Sequence, residues 1–326
     1  MKTNHSFGTL SLCLILIGAP AFAAETPYHF IKEIPVGGKA QWDYLKVDSE
    51  ARRLYLTHGA KVEVIDLDTG TVVGAIENTP GVHGIALAPR LGRAFTSNGQ
   101  ENKASIVDLK TLKTITKVTT GANPDSIVYE PVQNEVYTFN GKGKSATVFD
   151  PQSGRVTATI DLGGKPESAI TDSEACRAYV NIEDKSEVVV IDLKTHKVVN
   201  HWPIAPGEAP TGMAIDLAQH RLFLGCDNNK MVMMDSSTGK VLATVPIGAG
   251  VDANAFDPGT QFAFSSNGEE GTTTIAREVG PDKLMVVQSL KTVVGARTIA
   301  LDPKTHNIYL PAPTPAFRVM VYGMEK

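Results

Sequence analysis

The fold of this 326-residue chain is decided by the segment Val62-Glu63-Val64-Ile65-Asp66-Leu67-Asp68-Thr69-Gly70-Thr71-Val72-Val73-Gly74. It has the pattern of an alternating strand, a turn that begins at an aspartate, and a second strand. The same pattern returns around Asp108, Asp150, Asp192 and Asp235, at spacings of 42, 42, 42 and 43 residues. A fixed period of this length is typical of a propeller blade or a solenoid repeat.

A second repeated element precedes these aspartates: a short apolar strand, an acidic or proline turn, and another strand. It occurs seven times, in copies that begin at Asp43, Gly84, Ser126, Ala169, Met213, Ala255 and Ile299. Each repeat therefore holds four short strands, and no segment has a sustained helical period of apolar residues. The sequence predicts an all-β, seven-bladed β-propeller with four antiparallel strands in each blade.

The two ends of the chain predict how the ring closes. The seventh repeat has its third strand at residues 317–322, and its fourth strand is missing. Residues 28–34 match the outer-strand pattern of residues 197–203, so we expect the N-terminal strand to complete the last blade. An open solenoid is the alternative, and the count of seven with this terminal complement argues against it.

Residues 1–23 have the features of a secretory signal peptide. Lys2 gives a positive start, residues 10–17 are an apolar run too short to span a membrane, and Ala21-Phe22-Ala23 fits a cleavage site. We therefore predict one propeller domain over residues 24–326, periplasmic or secreted, monomeric and without a transmembrane segment. A net charge of −4 argues against a nucleic-acid partner.

An oxidising compartment would allow Cys176 and Cys226 to form a disulfide. The repeat register places Cys176 at a hairpin turn and Cys226 at the far end of a strand, so we predict two unpaired thiols. The sequence contains no G-x-S-x-G elbow, P-loop or dinucleotide fingerprint, which argues against a serine hydrolase and against these nucleotide-binding classes.

The strand Arg53-Leu54-Tyr55-Leu56-Thr57, followed by the segment that begins at Val62, resembles the YVTN-type propeller repeat of exported bacterial proteins similar to YncE. The resemblance covers nearly the whole mature chain. It implies the seven-bladed fold. Relatives with similar blades include surface-layer repeats, subunits of cofactor enzymes, and lyases or lactonases, so the resemblance leaves the function open.

Propellers of this type bind ligands at one mouth of the central channel, where the inner strands meet. We call the residues just before the inner strands the entrance ring: Asp43, His83, Asp125, Glu167, Thr211, Asp252 and Arg297. The residues just after the second strands, which we call the turn set, are expected at the same mouth: His58, Asn98, Asn140, Glu183, Asp227 and Asn267. Both groups are polar, and the entrance ring is the more acidic.

Four carboxylates that converge on a narrow channel repel one another, which raises their pKa values unless a cation or Arg297 neutralises them. Oxygen ligands favour Ca²⁺ or Mg²⁺, whereas His83 and His58 with a carboxylate would suit Zn²⁺. The candidate ligands of a divalent cation are Asp43, His83, Asp125, Glu167 and Asp252. The alternative is a solvated polar surface, because turn residues are polar in any propeller.

Other residues have simpler expected roles. The repeated aspartates should accept hydrogen bonds in their turns, on the face away from the mouth. Trp42 lies beside the mouth, where it either packs in the rim or stacks on a planar ligand. Trp202 and the methionines around Met233 are expected to be structural. Lys165 and its basic neighbours are expected to be solvated.

Three functions remain. The first is a binding or scaffold module that recognises a small molecule, a metal ion or a periplasmic protein partner at its mouth. The second is a divalent-metal-dependent enzyme of the lyase or lactonase kind, in which the metal polarises a carbonyl and His83 acts as general base or acid. The third is an accessory subunit of a periplasmic redox system with a quinone cofactor, where the redox centre would belong to the partner because the chain has no C-x-x-C-H motif.

Overall fold

The computed structural model describes residues 1–3 and 28–324, so the predicted signal peptide lies almost entirely outside the described residues. Residues 28–324 form seven four-stranded antiparallel sheets. The inner strands of neighbouring sheets contact one another around a closed ring. The seven-bladed β-propeller predicted from the repeats is confirmed. Within the described part of the chain, no helix has the length and apolar character needed to cross a membrane.

The strands are numbered in chain order, starting from β1 (His29–Pro35). Blade 1 comprises β2 (Trp42–Asp48), β3 (Arg53–His58), β4 (Lys61–Asp66) and β5 (Thr71–Ile76). Blade 2 comprises β6 (Val82–Ala88), β7 (Arg93–Asn98), β8 (Lys103–Asp108) and β9 (Thr114–Thr119). Blade 3 comprises β10 (Pro124–Glu130), β11 (Glu135–Asn140), β12 (Ser145–Phe149) and β13 (Val156–Asp161).

Blade 4 comprises β14 (Pro166–Asp172), β15 (Arg177–Ile182), β16 (Glu187–Asp192) and β17 (Lys197–Pro203). Blade 5 comprises β18 (Pro210–Asp216), β19 (Arg221–Cys226), β20 (Lys230–Asp235) and β21 (Val241–Pro246). Blade 6 comprises β22 (Val251–Asp257), β23 (Phe262–Asn267), β24 (Thr272–Gly280) and β25 (Lys283–Lys291). Blade 7 adds β26 (Ala300–Asp302), β27 (Asn307–Ala312) and β28 (Arg318–Gly323) to β1. Two short 3₁₀ turns occur at Pro89–Leu91 and Glu183–Lys185.

The hydrophobic core lies between the blades. Seven clusters of buried apolar side chains are present in the described chain, and each joins two neighbouring blades. Between blades 2 and 3, for example, Phe95 contacts the ring of Phe149 edge-on at 6.1 Å. A single blade has apolar residues on both faces and cannot bury them alone, so the fold depends on all blades being in place.

The N-terminal strand completes blade 7, as predicted. Strand β1 pairs antiparallel with β28, from His29 opposite Gly323 to Pro35 opposite Arg318. Ile34 is fully buried in the cluster between blades 7 and 1. Across the same junction Arg52 donates to the buried carboxylate of Asp302 at 2.6 Å. The ring is therefore closed by strand pairing, apolar contact and an ion pair together.

The repeated aspartates perform the turn chemistry predicted for them. In the hairpins between the third and outer strands of blades 1 to 5, aspartate Oδ1 accepts backbone N–H groups two and three residues later, at 2.7–3.1 Å. At Asp66 the backbone hydrogen bond from Thr69, with help from Arg53, lowers the carboxyl pKa to about 2. Asp66 pairs with Arg53, and Arg53 pairs with Asp48 at the end of the inner strand β2 that is opposite the mouth. These hairpins therefore lie on the face away from the mouth.

The remaining structural predictions also agree with the fold. Cys226 is buried, Cys176 is partly buried, and neither forms a disulfide. Trp202 on β17 stacks on Tyr179 at a ring distance of 6.0 Å. Met233 is fully buried in the core between blades 5 and 6, as expected of a gap-filling side chain.

Candidate functional site

The entrance ring is created by β-bulges near the start of the inner strands. The pairing of β2 with β3 passes from Trp42 opposite His58 directly to Leu45 opposite Leu56, so Asp43 lies outside the regular ladder. Equivalent register shifts occur in blades 2 to 6. A bulge redirects the side chains that it contains. The ring residues of blades 1 to 6 are thus the second residues of the inner strands, not the residues before them.

Hydroxyl side chains hold the bulge of blade 1 in place. Thr57 Oγ1 accepts the Asp43 N–H at 3.0 Å and donates to the Tyr44 carbonyl at 2.8 Å. From blade 7, Thr298 Oγ1 donates to the Asp43 carbonyl at 2.8 Å. These bonds satisfy backbone groups that the ladder leaves unpaired. The Asp43 side chain is therefore presented from a fixed backbone, as a binding site requires.

All seven side chains of the entrance ring line one cavity of about 670 Å³ at this end of the channel. Asp227 from the turn set lines it too, as do Trp42, Tyr44 and Glu269. The structure thus brings together side chains from all seven blades, which are up to 254 residues apart in the sequence. Carboxylates predominate among the charged groups of this cavity.

Three ring residues form a compact cluster at the junction of blades 1, 2 and 3. The Nδ1 atom of His83 lies 2.6 Å from Asp43 Oδ2 and 3.7 Å from Asp125 Oδ1. One donor atom from each residue lies within 4.8 Å of the other two. The three side chains are between 13% and 27% exposed, so the donor atoms are screened from bulk water but face the cavity.

The protonation of this cluster follows from its burial and its charges. Burial alone would lower the pKa of His83, but the hydrogen bond to Asp43 and the charges of Asp125 and Asp43 raise it to about 9. Burial and the charge of Asp43 raise the pKa of Asp125 to about 7. At neutral pH the His83 imidazole is therefore a cation that offsets part of the negative charge. A metal ion could take the place of that proton.

A second acidic pair lies on the blade 4 side of the cavity. Lys165 Nζ contacts Glu167 Oε1 at 2.5 Å and also pairs with Glu183. Burial and a hydrogen bond with Glu183 raise the pKa of Glu167 to about 9. Burial would raise the pKa of Glu183, but its hydrogen bonds with Glu167 and Lys165 lower it. Glu167 thus holds the proton that the pair shares.

Arg297 supplies the fixed positive charge on the opposite side. Its Nε donates to Asp252 Oδ2 at 2.7 Å, and Nη2 donates to the Trp42 carbonyl at 3.2 Å. Burial and the charge of Asp43 raise the pKa of Asp252 to about 6, and Arg297 limits the rise. The indole of Trp42 packs on Phe317 at 5.4 Å, which is the rim packing considered from the sequence.

The structure does not bring most of the turn set to the mouth. Asn98, Asn140 and Asn267 are fully buried and contact hydroxyl groups of their own blades, for example Ser105 Oγ at 2.8 Å from Asn98 Nδ2. They end the second strands, where an amide can satisfy a tight turn. The prediction that these three asparagines face the mouth is wrong.

His58 is also directed away from the cavity. Its Nδ1 contacts Glu63 Oε1 at 3.0 Å and its Nε2 contacts the Lys39 carbonyl at 2.7 Å, while the ring packs on Phe317. His58 therefore cannot act as a metal ligand together with His83 in this arrangement. Sequence reasoning also missed Lys165, which was expected to be solvated. Lys165 lies two residues before Glu167, and this spacing could have indicated that the two side chains pair.

Removing the carboxylate of Asp125 should stabilise the metal-free protein. The pKa of Asp125 is raised in the folded protein, so the protonated carboxyl is more compatible with the fold than the carboxylate is. The contribution of Asp125 to the free energy of unfolding is therefore most favourable below about pH 4, and it is lost as pH rises through about 7. Asp125→Asn should therefore raise the free energy of unfolding at pH 8 by about 1–3 kcal/mol and change it little at pH 4. Urea unfolding with EDTA measures this, with exposed Asp282→Asn as the control. A loss of stability at pH 8 would contradict the expectation.

Comparisons with known proteins support the fold and go no further. No family model matches the chain, and no curated protein sequence matches it. Among solved structures it is similar to Kuenenia stuttgartiensis hydrazine synthase, with a TM-score of 0.76 over 88% of this chain and 97% of that chain, at 14% identity. Because 1833 solved chains match, the likeness identifies an architecture and not an activity.

Proposed function

We propose that this protein is an exported β-propeller binding module that holds a divalent transition metal, Zn²⁺ in the first instance, at the mouth of its channel. Asp43, His83 and Asp125 would be the ligands. The observation that carries the proposal is the mutual proximity of their three donor atoms within 4.8 Å. The YncE-like resemblance is the reason for expecting export, and the polar mouth is the reason for expecting a binding role.

The donor set favours a transition metal over Ca²⁺ or Mg²⁺. An imidazole nitrogen lies at the centre of the cluster, and zinc accepts nitrogen and carboxylate oxygen together. Calcium needs six to eight oxygen ligands. Glu167 and Asp252, the remaining acidic candidates, are each engaged with a cation, Lys165 or Arg297. They would orient the surroundings of the metal rather than bind it.

Three protein ligands leave at least one coordination position open, and the cavity in front of the cluster has room for a small molecule. Arg297 lines the cavity, and Lys165 lies beside it, next to Glu167. An anionic or carbonyl-bearing ligand in the cavity would therefore be close to positive charge. We therefore infer that the mouth recognises a small ligand through the metal. A protein partner would instead cover the mouth.

The metal-dependent lyase or lactonase is the second candidate, and protonated Glu167 is the observation that favours it. A carboxyl with a pKa of about 9 is an acid available at neutral pH, facing the same cavity as the proposed metal. Turnover of lactones by the zinc-loaded protein, lost in Glu167→Gln with zinc affinity retained, would favour the enzyme over the binding module. The similarity to hydrazine synthase gives no separate support to a redox-subunit role, because it reflects the fold alone.

Zinc binding should release protons and strengthen with pH. His83 must lose the proton that its pKa of about 9 retains at neutral pH, and Asp125 is half protonated near pH 7. We expect one zinc per chain, release of about one to two protons, and affinity that rises from pH 6 to pH 8. Calorimetry in two buffers of different ionisation enthalpy measures all three. Less than about a tenth of a zinc per chain, or affinity independent of pH, would refute the proposal.

A further inference from the structure

A second chamber lies in the same channel, beyond the entrance ring. It has a volume of about 520 Å³, and Tyr44 lines both this chamber and the mouth cavity. Ser49, Pro258 and Pro303 line it as well, and they follow the inner strands at the end of the channel opposite the mouth. We call this space the lower chamber.

The wall of the lower chamber is mostly apolar, and one lysine projects from it. Lys46 on β2 lies opposite Tyr55 on β3. Every other blade also has an aromatic residue at this position of its second strand, and the inner-strand residue opposite it is the equivalent of Lys46. Those six equivalents are Ala86, Val128, Ile170, Ala214, Ala255 and Ala300. A position that is small or aliphatic in six blades thus carries an ammonium group in blade 1.

The ammonium of Lys46 has no anionic partner in the described chain. No hydrogen bond or ion pair of its side chain is present among residues 28–324. Among the described residues, Lys46 and Tyr44 are the titratable side chains of the chamber wall, and no carboxylate lines it. Lys46 is exposed to the water that fills the channel, while the protein atoms around it lower its pKa. The chamber wall thus offers one positive charge in contact with channel water and no counter-ion from the described residues.

We propose that the lower chamber binds an amphipathic monocarboxylate, whose carboxylate pairs with Lys46 and whose hydrocarbon chain lies against the apolar wall. Because the chamber wall carries one positive charge, the ligand should carry a negative charge. The apolar wall favours a ligand with a hydrocarbon body over a small hydrated anion, because burial of apolar surface adds to the ion pair. This site is separate from the metal cluster and does not depend on it.

The test is calorimetric titration with octanoate in the presence of EDTA, with acetate and octanol as partial analogues. We expect octanoate to bind at millimolar affinity or better, and both analogues to bind at least about tenfold more weakly. Lys46→Met should weaken octanoate binding at least about tenfold, whereas Lys46→Arg should retain it. Lys110→Met, in an exposed turn of blade 2, is the matched control and should bind as the wild type does.

Several outcomes would overturn the proposal. They are the absence of octanoate binding by the wild type, equal binding of octanol, and unchanged binding by Lys46→Met. Lys46→Met should fold and keep the melting temperature, because Lys46 is exposed and its side chain makes no hydrogen bond or ion pair among residues 28–324. Octanoate binding that requires zinc and is lost in His83→Ala would place the carboxylate at the mouth instead. Zinc affinity is measured separately, so failure here leaves the metal proposal intact.

Discussion

His83→Ala is expected to lower zinc affinity by about 100-fold or more, which corresponds to about 2.7 kcal/mol. The substitution removes the one nitrogen donor of the cluster and leaves Asp43 and Asp125 as two carboxylates without the cation that now lies between them. Competition titration with a chromophoric zinc chelator at pH 7.5 gives both affinities directly.

The chain offers two controls for this experiment. His201 on the outer strand of blade 4 also pairs with a glutamate, at 2.9 Å, and is half exposed, so His201→Ala should leave zinc affinity unchanged. Gly99→Ala keeps every ligand but would place a methyl carbon 2.6 Å from His83 Nε2, which displaces the imidazole. It should weaken binding to an intermediate degree. Equal zinc affinity in the wild type and His83→Ala would show that the metal, if bound, lies elsewhere.

Deletion of β1 is expected to abolish cooperative folding or to lower the free energy of unfolding by at least about 5 kcal/mol. The deletion removes the strand that pairs with β28, together with buried Tyr28 and Ile34. Each such side chain contributes about 1.5–3 kcal/mol through burial, and the unpaired edge of β28 would expose backbone groups. Thermal unfolding followed by circular dichroism compares a chain that begins at residue 36 with one that begins at residue 24.

Single substitutions within β1 test whether the loss of stability comes from the packing of particular side chains or from the loss of the strand itself. Ile34→Ala should cost about 2–5 kcal/mol, because Ile34 is fully buried between blades 7 and 1. Ile31→Ala lies on the same strand but is 42% exposed, and it should change stability by less than about 0.5 kcal/mol. If the chain from residue 36 unfolded cooperatively at the same temperature as the longer chain, strand closure would not stabilise the ring.

Within the site, the sequence predicted the ring of inner-strand residues better than it predicted the turn set. The inner strands of blades 1 to 6 are each seven residues long and share one pattern, so Asp43 and His83 could be aligned by register. Turns after the second strands differ in length and hydrogen bonding, and a polar residue there can serve the turn or face the channel. Asn98 serves the turn, whereas Asp227 faces the cavity. The residue type alone does not distinguish the two.

The sequence alone determined the number of blades, the strand order within a blade and the closure by the N-terminal strand. These follow from a repeated pattern in which each copy needs a neighbour to bury its apolar residues. Only the tertiary structure decided which charges meet: His83 with Asp43 and Asp125, Lys165 with Glu167, and Lys46 with no anion among residues 28–324. Those relations depend on bulges and on distances across the channel, between residues of different blades. A repeat pattern specifies the blades but not these distances.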